Sequence, residues 1–200
     1  MVVKADGSER CTASLAEAGE AEDRALVERA VGGDGGAFER LVEMHQRQVA
    51  RTAYRLLGWR GEVEDVVQDV FAAALVSLKR FRWESTLRSW LTSLTVNRCR
   101  KERRRRMVRR MLWRRWGGGV RRSEQAADEA AMAGERLVRV RKAVRELAGR
   151  YREVVVLRYL EGMEINEIGK ALGISRGAVE VRLHRGRGQL KETLAGLVEG

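Results

Sequence analysis

Apolar positions along this chain recur every three to four residues and almost nowhere alternate. In EVEDVVQDVFAAALVSLKRF (62–81), Val63, Val67, Val70, Phe71, Ala74 and Leu78 fall on one helical face. Asp65, Gln68, Asp69, Ala72, Val76 and Lys79 fall on the other. An acidic face with an apolar Val76 beside it suits docking to a partner as well as contact with water. The same period predicts helices near 22–32, 35–57, 62–80, 86–112, 128–147, 151–161, 164–172 and 175–194. The one strand-like run, VVVL at 154–157, sits inside a longer helical pattern, and the chain has no proline. An all-α fold follows.

Glycine supplies the punctuation: GGDGG at 32–36, GWRG at 58–61 and GGG at 117–119. These breaks predict a polar N-terminal tail (1–21), a helical domain (22–112), a basic and glycine-rich linker (113–127) and a second helical domain (128–197). No internal repeat is present.

The run INEIGKALGISRGAVEVRLH, from Ile165, carries the spacing of a helix-turn-helix. Ile168 and Leu172 form one apolar stripe, and Gly173 suits the left-handed conformation that ends a helix. Ile174 plugs the corner, and Ser175 is a good N-cap for the next helix. Val179, Leu183, Gly186 and Leu190 form that helix's inner stripe, while the small Gly169 permits close approach. Arg176, Gly177, Glu180, His184 and Arg187 lie together on the outer face, where base edges are read. Arg182 and Arg185 flank it and suit phosphates.

Before the helix expected at 86–112, Ser85 or Thr86 is a candidate cap, and Leu87, Trp90, Leu91 and Leu94 point inward. Arg82, Trp83 and Arg88 put an aromatic ring beside arginines, the combination that unstacked bases use. Charge sharpens the picture. The formal net charge is +12, and residues 98–122 alone hold 13 basic residues against one acidic. A block this local points to a polyanion, nucleic acid first and anionic lipid second. Met107, Val108, Met111, Leu112 and Trp116 recur through it at helical spacing, which also allows a membrane-surface helix or a partner's groove.

No apolar run reaches the roughly 20 residues that cross a bilayer, and the N-terminus lacks the apolar core of a secretory signal. Cys11 and Cys99 are the only cysteines and suggest neither a disulfide framework nor a zinc site. Both histidines look isolated, and no HExxH, GxxxxGK or Cys-His-Asp arrangement occurs. A cytoplasmic, non-enzymatic protein without metal or cofactor is the expectation. Cys99 reads as a buried structural thiol rather than a redox handle.

Taken together, AFERLVEMHQRQVARTAYRLLG, EDVVQDVFAAALVSLKRFR, ESTLRSWLTSLTVNRCR and LAGRYREVVVLRYLEGMEINEIGKALGISRGAVEVRLHRGRGQLKE resemble an extracytoplasmic-function sigma factor. The resemblance covers about residues 22–106 and 128–194. It implies two small helical domains, sigma domain 2 and the helix-turn-helix sigma domain 4, with promoter DNA and core RNA polymerase as partners. Domain 2 would dock on the polymerase beta-prime clamp through Asp65, Gln68, Asp69 and Val76. It would recognise and melt the minus-ten element through Arg82, Trp83, Glu84, Ser85, Thr86, Arg88, Asn97, Arg98 and Lys101. Domain 4 would read the minus-thirty-five element through Ser175, Arg176, Gly177, Glu180, Arg182, His184, Arg185 and Arg187, with Arg158 adding a backbone contact. An anti-sigma protein is a further candidate partner, and a membrane enters only through it. Trp83 replaces the family's usual glycine, Lys101 its usual acidic residue, and the prolines usual before RYREV are absent. The competing reading is a stand-alone helix-turn-helix regulator of duplex operators, which leaves the acidic face at 65–79 and the loop at 82–88 without a role.

Overall fold

The computed structural model describes residues 6–58, 61–115 and 135–195. Among them every regular element is helical. The first bundle contains α1 (Asp6–Val31), α2 (Gly35–Leu57), α3 (Val63–Ser77) and α4 (Leu87–Arg115), with a 3-10 turn at Leu78–Arg80 after α3. The second contains α5 (Glu135–Glu146), α6 (Gly149–Val155), α7 (Ile165–Leu172) and α8 (Arg176–Leu194). The expected linker beyond Arg115, including GGG at 117–119, lies outside the described residues.

Two expectations shift. The segment 6–21, read as a polar tail, belongs to α1. Its alanines and glutamates favour helix by propensity even where periodicity is weak. The histidines do not both stand alone: His45 Nε2 lies 2.8 Å from Asp23 Oδ1, a mostly buried link between α1 and α2. Twenty-two residues separate the pair, so only packing brings it together.

Local signals set the ends of the helices. Asp34 Oδ1 accepts the Ala37 N–H at 3.1 Å to start α2. The Arg29 side chain donates to Asp34 Oδ2 at 3.0 and 2.7 Å and holds that carboxyl below its ordinary range. Gly58, at φ 80°, closes α2 with its N–H on the Tyr54 carbonyl. Of the two candidate caps for α4, Thr86 is used: its Oγ1 accepts the Ser89 N–H at 3.1 Å.

The buried stripe of α3 is Val66, Val70, Phe71 and Ala74, continued by Leu78 of the 3-10 turn. Val63 and Val67 are only half-buried, because α3 sits against both α2 and α4 and its inward face is turned toward Val66. On α4, Leu87 and Leu91 are buried, as are Thr95, Val96 and Cys99, while Trp90 and Leu94 lie at the margin. VVVL at 154–157 is buried throughout, since α6 and the π-helical turn after it (Val156–Leu160) are wrapped by neighbours. In that turn the Glu161 N–H donates to the Val156 carbonyl at 3.0 Å.

The two bundles do not hang apart on a tether. One apolar core runs from Leu26 and Val70 in the first through Val154, Leu157 and Ile168 in the second. Helix α4 packs on α7, and α2 packs on α5, α6 and the π-helical turn.

Cys99 is 2% exposed, and burial pushes its thiol from 9.0 up to about 12. The thiolate is the reactive form, so on a Cys11→Ser background Cys99 in the folded chain should resist iodoacetamide at pH 8.5 by at least about 100-fold relative to the same chain in denaturant. Equal rates would show an open site. The raised value also has a pH consequence. Below about 9 the thiol is neutral in both states and adds nothing; between about 9 and 12 only the unfolded chain ionises, so stability should fall as pH rises through that window. A Cys99→Ala chain should show less of that fall in thermal melts.

Candidate nucleic-acid interface

Helices α7 and α8 form the helix-turn-helix. Gly173 ends α7 at φ 65°, where a side chain would be strained. Ile174 donates its N–H to the Gly169 carbonyl at 3.0 Å. A Cβ on Gly169 would meet the Ile174 carbonyl oxygen at 2.9 Å, so this glycine makes room for the turn itself more than for the facing helix. Ser175 Oγ accepts the Ala178 N–H at 3.2 Å and caps α8. Val179, Leu183 and Gly186 are buried beneath. A Cβ on Gly186 would press on Val155 Cγ2 at 3.0 Å, which lets α8 lie close on α6.

The outer face of α8 is open. Ser175, Arg176, Gly177, Glu180, His184, Arg185 and Arg187 are all exposed, and Arg182 is half-buried. Arg176 Nε donates to Glu180 Oε1 at 2.9 Å, so free of DNA the two hold one another in place. Arg185 stands beside the Tyr151 hydroxyl and holds it below the usual tyrosine range. Arg158 is engaged internally: its Nη1 donates to the Met163 carbonyl at 2.9 Å and to Glu164 Oε1 at 3.0 Å.

The second surface lies on the first bundle. Arg82, Glu84, Arg88, Asn97 and Lys101 are exposed; Ser85, Thr86 and Arg98 are half-buried. Trp83 differs from the bare stacking ring the sequence suggests. It is the one non-glycine residue at positive φ among the described residues, at 57°. Its ring centroid lies 4.8 Å from that of Phe81, which in turn lies 4.9 Å from Trp90. The Arg24 guanidinium sits over the Trp83 ring at 4.6 Å. Trp83 is therefore partly packed, and Arg24, on α1, adds a cation that sequence reasoning missed. Nothing in the spacing of α1 signals that approach.

The acidic face of α3 faces outward as expected. Asp65, Gln68 and Asp69 are exposed and Val76 is 82% exposed. Leu75 beside it is 54% exposed and extends the apolar part of the patch. Asp69 lies 3.9 Å from Arg98 on α4, linking this face to the basic one. Toward its C-terminus α4 exposes Met107, Val108, Met111, Leu112 and Trp113 between arginines.

Sequence reasoning also missed the charges buried where the bundles meet. Glu153 and Glu161 are 5% and 8% exposed. Glu153 carried one signal, an acidic residue beside the apolar run VVVL, one turn before Leu157. Arg152 donates Nη1 to the Leu56 and Leu57 carbonyls at 3.2 and 3.3 Å, supplying α2 with donors at its last turn. Burial pulls that guanidinium down to about 10, which leaves it charged at neutral pH. Among the described residues no cluster of side chains could hold a metal ion, and no helix is long and apolar enough to cross a membrane.

Comparison with known proteins meets this geometry at both surfaces. Residues 41–109 match the family model "Sigma-70 region 2", and residues 137–190 match "Sigma-70, region 4". The RNA polymerase sigma factor NccH of Alcaligenes xylosoxydans xylosoxydans is 34% identical over 86% of this chain and 94% of its own length. The ECF RNA polymerase sigma factor SigW of Bacillus subtilis is 30% identical over 82% of this chain and 92% of its own. A solved structure of CnrH in complex with the cytosolic domain of CnrY, 34% identical, superposes with a TM-score of 0.63 over 88% of this chain and 98% of CnrH.

The cap of α8 is testable apart from DNA. Ser175→Ala removes the oxygen that accepts the Ala178 N–H and should cost about 1 kcal/mol, whereas Ser175→Gly should cost only a few tenths. Thermal melts should show the alanine variant lower by about 2–4 °C and the glycine variant nearly unchanged. Equal melting points for Ser175→Ala and the parent would show the hydroxyl idle in the fold.

Proposed function

We infer that the two helical bundles divide the work of promoter recognition, because the chain belongs to the extracytoplasmic-function group of the sigma-70 family of RNA polymerase initiation factors. It is an alternative sigma factor, directing promoter-specific transcription initiation. The observation that carries the division of labour is the outer face of α8. Arg176, Gly177, Glu180, His184 and Arg187 are exposed together on a helix whose other face is sealed by Val179, Leu183 and Gly186. That face reads the minus-thirty-five element, and Ser175, Arg182 and Arg185 contact its phosphates. Arg158, tied to Met163 and Glu164, shapes the approach to α7 and reaches at most a phosphate.

The loop before α4 and the exposed flank of that helix serve the minus-ten element. Opening a base pair costs a few kcal/mol, which stacking and pairing in a pocket must offset. Arg82, Glu84, Ser85, Thr86 and Arg88 stand at that loop, with Asn97, Arg98 and Lys101 farther along α4. Trp83, backed by Phe81 and Arg24, forms the wall of this site. The acidic and apolar face of Asp65, Gln68, Asp69, Leu75 and Val76 docks on the clamp of core polymerase. Since CnrH was solved with the cytosolic domain of CnrY, a protein of the anti-sigma kind is a partner here as well. The exposed arginines at the end of α4 follow nucleic-acid phosphates in the polymerase complex.

Transcription in vitro with core polymerase, with and without this chain, on genomic DNA of its host tests the reading directly. New start sites sharing two upstream elements are expected. Duplex binding by the chain alone, with no new start sites, would favour a stand-alone regulator. For the arginines, Arg104→Gln with Arg110→Gln should flatten the salt dependence of promoter binding by about 1 in slope for each phosphate left unneutralised. The deficit should be largest at low salt, and an unchanged slope would remove these arginines from the nucleic-acid path.

A further inference from the structure

The loop before α4 places a tryptophan where the backbone crowds any residue with a Cβ. At φ 57°, Trp83 keeps its conformation only while neighbours hold it there. Phe81 is one neighbour, at 4.8 Å between ring centroids, and Phe81 is itself backed by Trp90 at 4.9 Å. The other is the Arg24 guanidinium, 4.6 Å from the ring centroid over its face. A cation over a partly exposed indole contributes about as much as one left-handed residue costs. Losing that one contact is therefore enough to shift the balance of the loop.

Arg24 can serve as a support because the backbone beneath it is fixed. Leu26 and Val27, which follow it, are buried in the core, and Asp23, which precedes it, is 7% exposed. The Asp23 carboxylate meets His45 Nε2 of α2 at 2.8 Å. A buried carboxylate without a partner is costly, so this pair keeps the Asp23 side of α1 turned toward α2. The next residue lies about 100° further around the helix, and Arg24 emerges exposed. Helix α1 also packs on the 3-10 turn at Leu78–Arg80, which leads into the loop. A chain of contacts thus runs from His45 through Asp23 and along α1 to Arg24 and Trp83. It ends between Arg82 and Glu84, both exposed, with the indole half-buried beside them.

We propose that Arg24 is a positioning residue for the minus-ten site: pinned through Asp23 and His45, it holds Trp83 as the wall against which an unpaired base stacks. The inference rests on the reading of the loop at 81–86 given above, and adds α1 to the parts that the loop needs. Arg24 acts through the ring. Without it the loop relaxes toward negative φ, the indole turns aside, and opening of the minus-ten element slows.

Full-length variants with core polymerase test this on one promoter, supplied as duplex and as a template already unpaired over the minus-ten element. Permanganate reactivity of unpaired thymines follows opening of the duplex, and circular dichroism verifies that each variant is folded. Arg24 is exposed, so its truncation leaves the core intact. Arg24→Ala should slow opening about two- to fivefold and initiate at the parental rate on the unpaired template. Trp83→Gly removes the ring and is at ease at positive φ; it too should open the duplex more slowly. Because Arg24 works through that ring, the double variant should open no more slowly than Trp83→Gly alone. Parental opening by Arg24→Ala overturns the proposal, and so does an additive loss in the double variant, which would give Arg24 a contact of its own with DNA. An equal loss on both templates also overturns it, since that is the mark of a general defect. Arg82→Ala with Arg88→Ala separates the two levels of inference. If that chain opens the duplex slowly while Arg24→Ala or Trp83→Gly does not, the minus-ten reading stands and the role of Arg24 falls. If none of these variants slows opening, the minus-ten reading of the loop falls, and the proposal with it.

Discussion

The arrangement of this protein turns on a desolvation problem. Glu153 and Glu161 are carried into the contact between two helical bundles, and a carboxylate buried there without partners would cost several kcal/mol. Arg100, Arg103 and Arg55 reach across from α4 and α2 to meet them. Arg152 reaches the other way, onto the last carbonyls of α2. Each bundle supplies what the other lacks, and the register between them follows. An interface of this kind selects one alignment, since a shift of one helical turn strands a charge, but it does not by itself make the union permanent.

Around that contact the exposed faces are arranged with little further compromise. The outer face of α8 is free because its inner face is filled by Val179 and Leu183 and because Gly186 lets it settle on α6. The face of α3 bearing Asp65 and Val76 is free because Val66, Val70 and Phe71 already occupy its inner side. The basic end of α4 runs past the bundle, which leaves its methionines and arginines uncovered together. One helix thus contributes core residues at its start, interface arginines in its middle and an exposed basic stretch at its end.

Trp83 is the clearest local departure. A tryptophan at φ 57° stores of order 1 kcal/mol of backbone strain, which its contacts with Phe81 and Arg24 must offset. A glycine at this position would be relaxed. A packed aromatic wall thus stands where a glycine would give an easy turn, beside the surface proposed for the minus-ten element.

Much of the fold is legible in the sequence. Helical periodicity predicted α2, α7 and α8 nearly to the residue, because each has an apolar stripe and a local stop or cap (Asp34, Gly58, Gly173, Ser175), and it predicted α3 from its stripe alone. The helix-turn-helix reading was legible for the same reason, since its turn, cap and stripe lie within about 20 consecutive residues. What escaped was non-local. The helix at 6–21 was hidden by weak periodicity, the tilt that buries Val66 in place of Val63 and Val67 is set by α2 and α4, and the pairing of His45 with Asp23 spans a helix and a turn. Arg24 over Trp83, and the arginines around Glu153 and Glu161, join segments up to about a hundred residues apart. Sequence by itself determined which faces of α3 and α8 turn outward, because those depend on neighbours three and four residues away. Tertiary structure alone decided that the two bundles lie closed on one another, because that depends on charges that find their partners only once both helices are in place.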